Sequence, residues 1–382
     1  MKILILSADT GGGHNHTAQA FKKTILSHEP NAEIIIENAL EYVSHFLNNV
    51  VVGGYYFFVK KAPRLYGIAY RLSDKKSPIS GIVDSVTRFY SKRLISLIEE
   101  NKPDAVLSVH PFATNMAAYA KEIGRLNVPI VAIMTDYAPH RAYINDAVDR
   151  YVVSSEDMIK SVSDYGIPQE NIVNLGIPIE NKFYEHIDRN AEMEKIGFDP
   201  DKTTALFMAG SFGVTKVLKI YENIAKLDKD FQVIIITGNN EKLYEKFEKY
   251  LAEQENPRKV LLLKFTTEVE KYMQMADMII TKPGGLTVTE SLASGLPMVV
   301  FKAYPGQEED NTDYLLKTGS AVKIDKTNDA GNVFLSLLES SEKLEEMKNS
   351  AIKISHDHSA DKIYELLKEI CENQNGDLSD NN

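Results

Sequence analysis

The chain has 382 residues, enough for two domains of ordinary size, and its 43% hydrophobic and 25% charged content is that of a globular protein. A formal net charge of −11 argues against a general nucleic-acid binder, so no nucleic-acid partner is expected. The single cysteine, Cys371, excludes an intramolecular disulfide and a cysteine-based zinc site, and it fits a reducing cytoplasm. The apolar opening Ile3-Leu4-Ile5-Leu6 is too short for a signal peptide, and no run of roughly 18 uncharged apolar residues suggests a membrane span.

Residues 2–8 read as a buried strand, 9–14 as a glycine turn, and the following residues to about Leu26 as a helix, with a second strand at 33–37. This order invites a dinucleotide fingerprint, but His16 and Thr17 stand where its last glycine belongs, so GxGxxG is absent. A histidine at a helix start beside three glycines is hard to explain by core packing, which makes His14 a functional candidate.

From Ala39 to Arg71 the chain is apolar and aromatic, with Tyr55, Phe57 and Phe58 close to Lys60, Lys61 and Arg64. Between residues 55 and 93, nine basic residues face two acidic ones, within an acidic protein. Rings at headgroup depth with cations on anionic lipids give one reading of this segment. An amphipathic helix packed on a sheet gives the other, and periodicity alone leaves both open. Residues 73–81 read as a loop.

A helix over 82–100, a strand over 104–109, a helix opened by His110-Pro111 and a strand over 129–134 follow. That last strand leads into Thr135-Asp136, with His140 and Arg141 close behind; Asp136, His140 and Arg141 are candidates to meet an acceptor or a transferred group. Short strands near 151–153 and 171–174 complete a first α/β domain, and 176–189 reads as a connector.

The second domain opens with a strand over 203–208 and a glycine turn in which Gly210 and Ser211 can meet a diphosphate. Strands over 233–236 and 260–263 follow, then Phe265 and Thr266, and a helix over 268–275. Asp228-Lys229-Asp230 has the form of a metal-binding DxD but falls between a helix and a strand on the wrong side of the sheet, so it reads as a solvated turn. The densest stretch runs from Thr281 to Asn311. A buried strand enters the turn Pro283-Gly284-Gly285, whose N–H groups and helix N-terminus suit a diphosphate. Thr287 and Glu290 lie on the helix that follows; a carboxylate one turn in accepts two hydrogen bonds from vicinal ribose hydroxyls. A second strand, 298–301, leads to a polar loop, 305–311, where Gln307, Glu308 and Asn311 offer partners to sugar hydroxyls. Helices around 328–338, 341–354 and 358–371 finish the chain, and 373–382 reads as a disordered tail.

The phrases ITKPGGLTVTESLASGLPMV, PGQEEDN, SADTGGGHNHTAQA and TDYAPHRAY, in this order from both ends of the chain, resemble glycosyltransferase family 28. The resemblance is strongest to its monogalactosyldiacylglycerol synthase and diacylglycerol glucosyltransferase branch, and it covers nearly the whole chain apart from the tail. It implies the GT-B fold: α/β, two Rossmann-like domains facing a central cleft. The N-terminal acceptor and membrane domain would be 1–177 and the UDP-sugar domain 178–355, with 356–372 crossing back to the first domain. It implies an inverting, metal-independent transfer of a hexose from UDP-hexose to diacylglycerol at the cytoplasmic membrane face, with anionic lipids as partners and no cofactor. His14 is the first choice of base and Asp136 the second. Gly13 joins the close-approach loop, and Phe265 and Thr266 hold the nucleotide base. Tyr143 stands where many relatives carry tryptophan. A polyprenyl-linked peptidoglycan precursor as acceptor, a UDP-sugar 2-epimerase, and a nonenzymatic nucleotide-sugar-binding regulator are the alternatives. Glucose or galactose, one sugar or several, and the oligomeric state stay open.

Overall fold

The computed structural model describes residues 1–9, 12–74, 78–208, 215–254, 258–301 and 304–379. The chain divides into two compact units. The first is Met1–Asn181 with Tyr304–Gln307 and His358–Asn382; the second is Lys182–Ala303 with Glu308–Asp357.

The first unit is built on six parallel strands: β1 (Lys2–Ser7), β2 (Glu33–Asn38), β3 (Ala105–Ser108), β4 (Ile130–Ile133), β5 (Arg150–Val153) and β6 (Ile172–Asn174). Their order is β2-β1-β3-β4-β5-β6. Side chains alternate across the sheet, so each face builds its own core. Ile3, Ile5 and Leu107 pack with Phe21 and Ile25 of the Gly13–His28 helix and with Ile363 and Leu367 of the last helix. Leu4, Leu6 and Val106 pack on the other face with Leu94, Ile98 and Met116. The last helix, Ser359–Ser379, is therefore part of the first sheet's core, tied by Ser359 Oγ to the Leu175 carbonyl at 2.6 Å. It runs on to Ser379, so helix replaces most of the tail expected to be disordered.

The second unit has six parallel strands as well: β7 (Thr204–Met208), β8 (Gln232–Ile236), β9 (Val260–Leu263), β10 (Met278–Thr281), β11 (Met298–Phe301) and β12 (Ala321–Ile324), ordered β12-β11-β10-β7-β8-β9. Phe207, Val233, Ile280 and Val299 lead its core, with Phe334 and Leu337 covering one face. Each unit thus has the doubly wound, Rossmann-like α/β architecture that the resemblance implies. In each sheet the direction of winding reverses once, at β1/β3 in the first and β7/β10 in the second. Ligands of open α/β sheets bind beyond the carboxyl ends of the strands at such a reversal.

The segment over 39–71 is helical throughout, as Ala39–Val43, His45–Lys61 and Pro63–Ser73. Ser44 caps the second of these through Leu47 N, and Pro63 occupies the first turn of the third, where its missing N–H costs nothing. Leu47 and Val59 face inward, whereas Phe46, Phe57, Leu65 and Ile68 are each more than half exposed. The loop expected over 73–81 is shorter, because the next helix begins at Pro78. The polar stretch expected as a loop over 305–311 is already helix from Gln307. Glu308, Glu309 and Asp310 sit in the first turn of Gln307–Thr318, where acidic side chains complement the helix dipole.

Candidate active site

Three loops of the first unit meet at the β1/β3 reversal. Gly12, with φ 84°, turns the chain from β1 into the Gly13–His28 helix and sets His14 in its first turn. His14 Nδ1 lies 2.6 Å from the carbonyl of Val109, beyond β3, and 3.2 Å from Oγ1 of Thr135, beyond β4. A carbonyl only accepts, so Nδ1 carries the proton and Nε2 keeps its lone pair. The Tyr143 hydroxyl donates to the same carbonyl at 3.3 Å, and its oxygen lies 3.4 Å from Thr135 Oγ1. The His110 ring stands edge-on to His14, with centroids 4.9 Å apart.

Burial sets the electrostatics of this cluster. It lowers the His14 pKa to about 4, with the Val109 hydrogen bond pulling the other way. It holds His110 well below the ordinary histidine range, with His14 as a second cause, and pushes Tyr143 up. His14 is thus a neutral imidazole at neutral pH, fixed in one tautomer, with Nε2 able to accept a proton. Val109, His110, Thr135 and Tyr143 are absent from the sequence-derived set. Tyr143 is buried and spent on orienting His14's partner carbonyl, which accounts for an aromatic hydroxyl at that position. Asp136 follows Thr135 and keeps partial exposure; its own carbonyl accepts from Ser154 Oγ at 2.6 Å.

Two residues expected to meet an acceptor have another task. His140 Nε2 lies 3.2 Å from the Tyr70 carbonyl and 3.3 Å from Ser73 Oγ, while its Nδ1 accepts from Ala142 N at 3.1 Å. Both ring nitrogens are therefore engaged, and burial lowers the pKa of this ring too. The backbone N–H of Arg141 and the hydroxyl of Tyr165 each donate to Asp74 Oδ1 at 2.8 Å, with the Arg141 guanidinium over the Tyr165 ring. His140 and Arg141 thus anchor the end of the Pro63–Ser73 helix. Phe57 and Phe58 are exposed, as are Lys61 and Arg64. Tyr55 and Lys60 lie in the same helix, but their side chains fall outside the described set.

In the second unit, β10 delivers Pro283 and Gly284 to the β7/β10 reversal, and helix Gly285–Ala293 begins there with Gly284 as N-cap and no side-chain cap. Its first N–H groups are thus left for a ligand or solvent. Thr289 and Ser291 turn their hydroxyls back onto the carbonyls of Gly285 and Thr287, at 2.9 and 2.7 Å. Thr287 and Glu290 keep partial exposure. Phe265, 58% exposed, and Thr266, whose Oγ1 accepts from Glu268 N, stand beyond β9. Gly210 and Ser211, beyond β7, lie outside the described residues.

In the 305–311 stretch the structure gives Asn311 and Glu308 partners within the fold. Asn311 is fully buried and donates its amide to the Pro283 carbonyl at 3.0 Å, so it shapes the glycine turn from behind. Glu308 carries a nearly buried ion pair with Lys282 at 2.9 Å. Lys282 was missed by the sequence reading; the signal available was a lone basic residue directly before Pro-Gly-Gly. Gln307 is half-buried and accepts from the Tyr66 hydroxyl at 2.8 Å. Asp230 of the DxD-like turn pairs with Lys202 at 2.8 Å, before β8 begins. Among the described residues, no group of three or more His, Cys, Asp or Glu is placed to hold a metal ion, and no helix is long and apolar enough to cross a membrane.

Comparison with known proteins places this geometry in a family. Residues 14–179 match the monogalactosyldiacylglycerol (MGDG) synthase model, and residues 188–354 match the model for glycosyl transferases group 1. The processive diacylglycerol beta-glucosyltransferase of Staphylococcus carnosus is 30% identical over 86% of this chain and 82% of its own length. That of Bacillus subtilis is 28% identical over 96% of this chain and 94% of its own. Among solved structures, Acinetobacter baumannii MurG aligns with a TM-score of 0.63 at 15% identity, covering 96% of this chain and 99% of its own. The Staphylococcus aureus MnaA–UDP co-structure aligns at 0.62 and 15%, covering 95% and 94%. The structural likenesses speak for the fold alone; the sequence relatives speak for more, and the chain belongs to the diacylglycerol glucosyltransferase and monogalactosyldiacylglycerol synthase branch of glycosyltransferase family 28.

Proposed function

We propose that this protein moves a hexose, glucose in preference to galactose, from a UDP-sugar to diacylglycerol, forming a β-linked membrane glycolipid. The relatives' names carry the substrate class. The observation that carries the chemistry is His14, held as the Nδ1–H tautomer by the Val109 carbonyl with Nε2 left to act as a base. In the transfer, His14 Nε2 takes the acceptor hydroxyl's proton as the oxygen bonds the anomeric carbon. The bond from that carbon to the phosphate oxygen breaks, and its electron pair leaves with UDP. Attack opposite the leaving group turns the α-linked donor into a β-linked product. Asp136, next to Thr135, is the second choice of base.

The departing diphosphate is stabilised by the uncapped N-terminus of the Gly285–Ala293 helix, with the nearby Lys282–Glu308 pair holding the turn. Glu290 takes the ribose hydroxyls, Phe265 stacks on the base, and Gln307 meets the hexose. In this account leaving-group stabilisation needs no metal. Turnover that is lost on chelation and restored by magnesium or manganese would sink that part of it.

The exposed aromatic and aliphatic side chains over 46–68, with Lys61 and Arg64 among them, form the surface that meets anionic lipid at the cytoplasmic face of the membrane. The reading is tested by incubating the protein with labelled UDP-glucose or UDP-galactose and vesicles containing diacylglycerol, then separating the lipids. Label in a β-glycosyl lipid is expected. Turnover of the UDP-sugar in the absence of lipid, or no label in lipid, would contradict it.

A further inference from the structure

The Pro63–Ser73 helix has two working faces. Leu65, Ile68 and Leu72 form one exposed stripe. Tyr66, Gly67 and Tyr70 form the other, and this one grips Tyr304–Gln307, a segment of the same compact unit. A Cβ on Gly67 would overlap Cβ of Pro305, so the absence of a side chain lets the helix and the loop meet. Gly306 has φ +104°, and a Cβ there would meet Cγ of Tyr70 at 3.0 Å and Cε1 of Tyr66 at 3.3 Å. Two glycines, one on each side, thus let the aromatic stripe close on Pro305–Gln307. The Tyr66 hydroxyl then donates to Gln307 Oε1 at 2.8 Å.

That last bond has a consequence for recognition. A carboxamide has one accepting and one donating end. With Oε1 accepting from that hydroxyl, the Gln307 side chain is held at Tyr66 and its NH2 group lies on the other side. An NH2 donates and so reads acceptor lone pairs on sugar hydroxyls.

We propose that Tyr66 is a positioning residue for the sugar donor, acting through Gln307 by fixing the side-chain amide toward the hexose. The proposal rests on the assignment of Gln307 to the transferred sugar. Gly67 serves the same end by seating Pro305.

The test compares two ligands that differ by the hexose. Calorimetry with UDP and with UDP-glucose is run on the wild type, Tyr66→Phe, Gly67→Ala, Gln307→Ala and the Tyr66→Phe/Gln307→Ala double variant. Tyr66→Phe keeps the ring and removes only the hydroxyl. It should weaken UDP-glucose about 3- to 10-fold, the effect of one neutral hydrogen bond, and leave UDP unchanged. Gly67→Ala should show the same selectivity. The double variant should lose no more than Gln307→Ala alone, because Tyr66 acts through that residue. Undiminished UDP-glucose affinity in Tyr66→Phe would overturn the proposal. Equal losses for UDP and UDP-glucose would overturn it too, since they would mark a general packing role. Wild-type protein that binds neither ligand would overturn the proposed function itself, and this inference with it.

Discussion

The two sheets offer their reversal points to chemistry in different ways. At β1/β3 the group we propose to work is a side chain, His14, surrounded by buried residues that fix its tautomer and lower its pKa to about 4. At β7/β10 the groups we propose to work are backbone N–H groups at the start of the Gly285–Ala293 helix, supported from behind by Asn311 and the Lys282–Glu308 pair. The difference follows from what each end of the reaction asks for. A proton must be accepted by a group that changes its charge, and only a side chain does that. A diphosphate carries its charge throughout, and fixed dipoles serve it without titrating.

The sharpest way to break this division is to remove the titrating group. His14→Ala should lower kcat about 10²–10⁴-fold while UDP affinity is retained. Near-normal kcat in the folded variant would pass the role of base to Asp136. The complementary change, Glu290→Ala, removes a charged acceptor from the ribose and should weaken UDP by roughly 1.5–3 kcal/mol. Unchanged UDP affinity would remove Glu290 from the site.

The same burial predicts how stability responds to acid. His14 has a lowered folded-state pKa, so the unfolded chain takes up a proton near pH 6.5 while the folded chain does not. Stability is then full above that pH and falls as pH drops from about 6.5 toward 4, by roughly 3 kcal/mol for this residue. His110 and His140 shift in the same direction and add to it. Urea melts at a series of pH values read the slope, and His14→Gln should flatten it. An unchanged slope in that variant would mean that folding does not shift the His14 pKa.

The smallest expected effect concerns the lipid surface. Serine at Lys61 and Arg64 should loosen binding to anionic vesicles by about 1 kcal/mol per charge, and added salt should imitate the change. Cosedimentation unaffected by both would leave the exposed stripe without a lipid role.

How much of this was legible in the sequence depended on the range of the contact. The β10–turn–helix–β11 unit was readable because strand, glycine turn and helix signals lie within one stretch of chain. His14 stood out because a histidine between glycines and a helix has no packing excuse. The partners that hold its ring were not readable: Val109 and Thr135 lie beyond β3 and β4, far along the chain. The Tyr66–Gln307 contact spans 241 positions, and Lys282–Glu308 depends on two strand ends lying side by side. Amphipathicity showed that the helices over 45–73 have two faces but not which one meets the sheet. Leu47 and Val59 turning inward settle that, and leave Phe57, Leu65 and Ile68 outside. His140 stood out because its loop follows a strand's carboxyl end, and only the structure shows both of its ring nitrogens occupied.

The division of labour between the two sheets is tested most directly by measuring His14→Ala and Glu290→Ala side by side, each for kcat in lipid glycosylation and for UDP affinity. The account predicts a crossed result: His14→Ala loses turnover and keeps UDP, whereas Glu290→Ala loses UDP affinity. Two variants that each lose both properties together would contradict it.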